Sequence, residues 1–373
     1  MGRIAPGSNG GPLKNPTKKI RIAFQANDTI TPTDKWAEVY AIVLGGGEGG
    51  EGGRSAIDAN KHASGSGRGG SAGGYAEGPI AFTPGVAIPI TVGVAGVGGA
   101  GGGPNTGNNT WSSTPDAAGG LGTAGGTSSV GTQISATGGS ASGPGVGYGG
   151  IVNRTGGLGG IRALYASTAL SNGGGPGGGG GGSAGNRHTN GYRGGNGAQR
   201  SSSGQASTNP TSGGGGAGNG GPGVDATPGG TLINLGGPSL VNQATVARTY
   251  FDEFFDPNAS FSVAVTTADA NTVYGEGQGS AGLYGNVASS SDLAGVAKPA
   301  GKFAGGGGGA GAANTANGST GPSGQKGSDG SFGCGGGGGG GGGSNASQGY
   351  YGQGGRGGNG GPGLVLLEIT MGV

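Results

Sequence analysis

Hydrophobic positions gather in a few short runs near the two ends of the chain, with a long glycine-rich body between them. The run WAEVYAIVL, Trp36 to Leu44, sets Tyr40, Ile42 and Leu44 on one parity and Val39, Ala41 and Val43 on the other. Both parities are apolar, which predicts a strand buried on both faces. GPIAFTPGVAIPITVGV, Gly78 to Val94, reads as two strands around TPGVA, where Pro84 fixes φ and Gly85 permits the turn. Pro89 cannot donate to a ladder, so it predicts an edge position for the second of these strands. KIRIAF, Lys19 to Phe24, and LVLLEI, Leu364 to Ile369, predict two more strands. Strands this far apart in sequence can pair only if the intervening body leaves one small β platform and returns to it.

The body has a period of its own. In GGGEGGEGGR the side-chain positions are Glu48, Glu51 and Arg54, three apart. Tyr350, Gln353, Arg356, Asn359 and Pro362 keep the same spacing, as do Gly321, Gly324, Gly327, Gly330 and Gly333. The heptads GNGGPGV, Gly218 to Val224, and GNGGPGL, Gly358 to Leu364, are near copies. Three residues per turn with a rise of about 3.1 Å is an extended left-handed helix without internal hydrogen bonds. Its backbone groups must then be satisfied sideways or by water. The pattern predicts a bundle of polyglycine II helices, hydrogen-bonded side to side, with Glu48, Glu51 and Arg54 on a solvent edge. The pure run Gly335 to Gly343 can be surrounded on every side and would span roughly 28 Å at that rise. A flexible Gly/Ser linker would need neither flanking strands nor a three-residue beat.

Composition then narrows the classes. Glycine supplies 109 of 373 residues, while the formal charge is only +2, so the chain carries neither a basic stripe for nucleic acid nor a solvating acidic tail. One cysteine, Cys334, forms no intrachain disulfide; it reads as a small residue beside glycines, with pairing between chains the alternative. No apolar stretch early in the sequence suits a secretory signal, and no window is long enough for a membrane span, so a soluble protein made in the cytoplasm is expected. Interruptions of the glycine tracts fall near 54–66, 103–117, 186–211, 231–302 and 344–351. The 231–302 stretch holds Tyr250, Phe251, Phe254, Phe255 and Phe261 and reads as an inserted lobe with FSVAV as a strand, inside a glycine-rich domain 35–373; residues 1–34 read as a separate unit.

Little of this composition suits catalysis. His62 and His188 lie apart in low-complexity loops with no ligand cluster nearby, so no metal is expected. GSGRGG at Gly65 to Gly70 matches a dinucleotide pattern but lacks the surrounding strand, helix and βαβ unit, so no cofactor is expected either. Asp116, Asp252, Glu253 and Asp256 define no acid/base pair, and the chain is not expected to be an enzyme. Aromatic residues in loops on a rigid scaffold are the stronger signal, because they give large contact area at low entropic cost. Trp111, Tyr192, Phe254, Phe255, Tyr350 and Tyr351 are the candidates for contacting a receptor. For each the alternative is local packing, and Phe254 and Phe255 could instead form the core of their own lobe.

The succession WAEVYAIVLGGG, GGYAEGPIAFTPGVAIPITVGVAGVGG, GTAGGTSSVG, SATGG and GGNGGPGLVLLEI resembles the glycine-rich domain of bacteriophage tail-fibre proteins, over about residues 36–373. In its polyglycine design it is similar to the tip adhesins of T-even-like phages. The fold expected is mainly irregular and all-β: a small antiparallel β platform carrying a bundle of polyglycine II helices, with essentially no α-helix. The resemblance implies a virion structural protein whose loops bind a bacterial outer-membrane protein or surface glycan. Residues 1–34 would dock on other virion proteins. A trimer is the default for phage fibres, although a bundle that satisfies its own backbone could stand as a monomer. The rival functions are a structural capsid or tail decoration subunit and, less well matched, an ice-binding protein, for which the charged edge positions and the aromatic lobe are unsuited.

Overall fold

The computed structural model describes residues 18–55, 65–103, 118–162, 177–185, 187, 190–197, 305–309, 324–341, 344–345, 350–351 and 353–372. These residues contain no helix of the α type and are mainly irregular and β, with two small antiparallel sheets. The first sheet joins β1 (Lys19–Phe24), β12 (Leu364–Met371), β3 (Trp36–Leu44), β4 (Tyr75–Pro79) and β9 (Val152–Arg154), in that spatial order. The second joins β2 (Asp28–Ile30), β5 (Ile88–Thr91), β6 (Ser128–Val130), β7 (Ile134–Ala136) and β8 (Gly147–Tyr148). A two-residue hairpin, β10 (Ser344–Asn345) with β11 (Tyr350–Tyr351), stands apart.

The strands at 19–24, 36–44 and 364–369 are where the apolar alternation places them, and the last runs on to Met371. β12 pairs with both β1 and β3, which closes the chain on itself across the whole glycine body. Val39, Ala41, Val43, Val365, Leu367 and Ile369 pack against Ile88, Ile90, Val130 and Ile134 of the second sheet. Ile42, Leu44, Tyr75, Leu364 and Leu366 form a smaller core on the opposite face, closed by Ala184 and Cys334. Burying both faces is why this strand shows no polar parity.

Three expectations change. The strands flanking TPGVA do not pair with each other: β4 belongs to the first sheet and β5 to the second, so the turn carries the chain between layers. Gly85 nonetheless takes the predicted turn geometry, with φ of 79°. β5 is also not an edge. Its Pro89 is tolerated because that residue's polar side faces Gly131, in the turn just beyond the end of β6, where no ladder donor is required. Strands β1 and β2, from the stretch read as a separate unit, pair with β12 and β5 and are built into the platform. The strands between 128 and 154 are too short and too rich in Ser and Gly to show an apolar period. The 231–302 lobe, FSVAV included, lies outside the described residues.

From the platform rise the glycine segments, and their hydrogen bonds rotate with the predicted period. In 45–54, the N–H groups of Gly46, Gly49 and Gly52 donate to Gly126, Thr123 and Gly120; those of Gly47, Gly50 and Gly53 to Gly361, Gly358 and Gly355; those of Glu48, Glu51 and Arg54 to Ser71, Arg68 and Gly65. One helix thus addresses three antiparallel neighbours in turn. The pure glycine run is the centre of the lattice: the N–H groups of Gly335 to Gly340 donate to Gly182, Glu48, Ser328, Gly179, Glu51 and Gln325, and their carbonyls accept from Gly306, Gly70, Gly358, Gly309, Gly67 and Gly355. Six different segments surround it, and residues 335–341 are buried. A Cβ on Gly338 would fall well under 3.0 Å from the Gly67 carbonyl oxygen, so only glycine fits at this spacing.

Candidate functional site

The bundle has two unlike ends. At the platform end its segments run directly into strands, as 45–54 follows β3 and 353–363 precedes β12. At the far end a set of hydrogen bonds marks the last described turn. Gly102 donates to Gly53, Gly53 to Gly355, Gly355 to Gly340, Gly340 to Gln325, Gly178 to Gly309 and Gly197 to Ile161. The described residues that flank 56–64, 104–117, 163–176, 310–323 and 342–352 lie at this rim on both sides of each stretch. The stretch 198–304 leaves at the rim after Gly197 but ends at the platform side, where Gly306 donates to Gly335.

The six aromatic candidates do not fall in one place. Tyr350 and Tyr351 are β11, in the hairpin carried at the rim. Tyr192 is half-buried at the platform end, where its carbonyl accepts from Ser183 N–H and its N–H donates to Ser183 Oγ at 2.8 Å. That hydrogen bonding makes Tyr192 part of a helix, not of a displayed loop, and it stands at the opposite end from Tyr350 and Tyr351. Trp111, Phe254 and Phe255 lie outside the described residues, as do His62 and His188; Trp111 belongs to a stretch whose two ends are both at the rim.

The solvent edge is where the spacing misleads. Gln353, Arg356, Asn359 and Pro362 are exposed, as their period predicts, with buried glycines between them. Glu48 and Glu51 are not: Glu48 is fully buried and Glu51 is 7% exposed. The reason is a gap in the lattice. Segment 137–139 runs beside 45–54 for a single turn, taking the N–H of Gly74 on Thr137 and donating from Gly139 to Gly46, then turns away at Ser140–Gly143. The next N–H groups in that row, those of Ser71 and Arg68, donate instead to Glu48 Oε2 at 2.9 Å and Glu51 Oε2 at 3.3 Å. Two carboxylates therefore continue the column that the missing helix would have filled. Buried carboxylates need cations. Arg68 supplies one to Glu48, with Nη1 at 3.2 Å from Oε2 and Nη2 on Oε1, and Arg162 Nη1 reaches Glu51 Oε1 at 3.0 Å.

A second ionic cluster sits where the platform meets the bundle. Glu77 of β4 is 1% exposed and accepts Tyr75 Oη at 2.7 Å and a two-pronged contact from Arg187, Nε at 2.6 Å and Nη2 at 3.0 Å. The guanidinium also lies 5.8 Å from the centre of the Tyr40 ring. Burial, then the Glu77 charge, pushes the Tyr75 and Tyr40 phenols above their usual range. The hydrogen bonds to Glu77 raise Arg187 despite its partial burial. Beside this cluster an open groove of about 1020 Å³ runs over the outer face of the first sheet, lined by Lys19, Arg21, Glu38, Tyr40, Arg187 and Glu368 among others. Lys19 and Arg21 both bind Glu368, at 2.6 and 3.0 Å.

These clusters are built for structure. The carboxylates are saturated by cations and N–H groups, and no group of three or more His, Cys, Asp or Glu able to hold a metal occurs among the described residues. Cys334 is fully buried, its sulfur taking the Ala184 N–H at 3.2 Å and contacting the Phe332 carbonyl at 3.3 Å; burial pushes its thiol up to about 12. Pairing between folded chains through it is closed off. The signal that sequence reasoning missed is that Glu77 sits inside an apolar strand and that Glu48 and Glu51 follow one directly, with arginines elsewhere on glycine edges to meet them. No protein-family model and no curated protein matches the chain.

Proposed function

We propose that the protein is a phage virion adhesin that binds a host cell-surface receptor through loops displayed on the polyglycine scaffold. The observation that carries this reading is the common origin of the interruptions: five stretches of unlike sequence open from a single rim of a laterally hydrogen-bonded bundle. Rigid elements that hold irregular loops at one end are how binding surfaces are pre-organised. Trp111, Tyr350 and Tyr351 belong to these stretches and are the proposed contacts, with an outer-membrane protein or a surface glycan as the receptor. Phe254 and Phe255 remain candidates through the 198–304 stretch. The platform end, with residues 1–34, takes the virion side.

Exchange of the five rim stretches between this protein and a homologue of different host range tests the proposal. Adsorption should follow the loops, and the purified protein should compete with particles for cells. Host range unchanged after exchanging all five would refute the adhesin role and leave a purely structural subunit.

A further inference from the structure

β1 ends the first sheet, and no strand among the described residues pairs with its outer side. The other outer strands of the two sheets, β9, β2 and β8, have two or three residues, whereas β1 has six. Lys18 O accepts the Met371 N–H, so the polar groups of Lys18, Ile20, Ile22 and Phe24 face β12, and those of Lys19, Arg21 and Ala23 face outward. Side chains alternate in the same way. Lys19, Arg21 and Ala23 lie on the outer face and are exposed, while Ile20 and Ile22 lean onto the sandwich core and are only half covered. Along this strand two cations share the single carboxylate of Glu368.

We propose that the outer edge of β1 is a strand-addition site for an extended segment of another virion protein, acidic at alternate positions and apolar at those between. The donors and acceptors of Lys19, Arg21 and Ala23 would continue the ladder. Acidic side chains on the outer face would pair with the exposed Lys19 and Arg21, and apolar ones on the inner face would complete the cover over Ile20 and Ile22. A second copy of this chain fits less well, because antiparallel self-pairing centred on Lys19, Ile20 or Arg21 sets Lys19 or Arg21 opposite a like charge. The proposal rests on the docking reading above only in naming the partner as a virion protein.

The test uses the full chain, a short peptide alternating glutamate and valine, and one alternating lysine and valine. Amide exchange at Lys19, Arg21 and Ala23 should slow on adding the acidic peptide, with little change at Ile20 and Ile22, which are already bonded. The acidic peptide should bind roughly tenfold tighter than the basic one, and Lys19→Glu with Arg21→Glu should reverse that order. Ala23→Pro removes only an outward N–H, so the protein should fold and lose the peptide. Equal affinity for both peptides, or protection without the odd-residue pattern, overturns the proposal. In particles, Ala23→Pro should block incorporation while the purified variant still competes for cells. Loss of competition upon loop exchange alone would concern the adhesin reading and not this edge.

Discussion

Replacing Gly338 by alanine should destabilise the protein, although the same change in an ordinary flexible glycine segment would stabilise it. Alanine restricts the unfolded chain and is worth about 0.4–1 kcal/mol wherever the native backbone accepts it. At Gly338 the added methyl would sit well inside contact distance of the Gly67 carbonyl and close to that of Arg68. The segments must part by about 1 Å to reach ordinary carbon contact distances. Such overpacking costs about 1–3 kcal/mol. The shift also strains the two bonds that join these segments, Gly67 N–H to Gly339 and Gly70 N–H to Gly336, each worth about 0.5–1.5 kcal/mol. The sum, less the entropic gain, is a loss of about 1–6 kcal/mol. Gly103 is the control: it is exposed, and an added Cβ would meet nothing within 4 Å, so alanine there should be neutral or slightly stabilising. Chemical denaturation monitored by amide exchange reads both. If Gly338→Ala matched Gly103→Ala, the close-packed lattice would be refuted.

Glu48, Glu368 and Cys334 give three further tests. Glu48→Ala should lower stability by about 3–5 kcal/mol, because it leaves Arg68 partly buried without its partner. The double variant with Arg68→Ala should recover only part, since the buried Ser71 N–H still lacks an acceptor at about 1–3 kcal/mol; full recovery in denaturation would rule out the carboxylate as a stand-in for a backbone carbonyl. Burial raises the Glu368 carboxyl, but the hydrogen bonds from Lys19 and Arg21 outweigh it and hold the group below its usual range. A depressed carboxylate contributes above its unfolded pKa and loses that contribution as pH falls through the folded value. Glu368→Gln should thus cost up to about 1 kcal/mol at neutral pH, with the difference fading in a pH series as pH falls below the ordinary carboxylate range. Cys334 should resist thiol reagents at neutral pH until the protein is unfolded, and rapid labelling of the native protein would contradict its burial.

Much of the fold is legible because two periods, two and three, mark two kinds of segment. Trp36 to Leu44 and Lys19 to Phe24 announce themselves as strands by alternation, and Gln353 to Pro362 announces a solvent edge by triplets. The environment of a triplet edge is less legible, because it depends on which neighbour is missing. Glu48 and Glu51 have the same spacing as Arg356 and Asn359, yet they are buried because segment 137–139 ends after one turn. The partition of Gly78 to Val94 between two sheets is hidden for a similar reason: β4 takes its partners from β3 and β9, far away in sequence. Of the aromatic candidates, Tyr192 shows the limit of reading loops from composition, since its own backbone is already paired with Ser183.

A lattice of bare glycines has little to fix its register, because sliding a segment by three residues restores nearly the same bonds. Segments that continue a strand inherit register from the sheet, as 45–54 does from β3. Segments 177–184 and 191–197 do not, and the turn between them is tied down by Arg187 on Glu77. The turn between 324–330 and 334–341 is tied by Phe332 and Cys334, which pack with Leu44 and Leu364, and it needs Gly333 at φ of 70°. Each helix pair that lacks a strand therefore has one side-chain anchor at the platform. Arg187→Ala should loosen its pair first at 191–197, whose backbone bonds run to 155–161 and 180–183 at the side of the bundle. Amide exchange there should accelerate while Gly335 to Gly340, enclosed by six segments, stays protected at the global rate. Uniform acceleration across the bundle would mean that Arg187 supports overall stability and sets no local register.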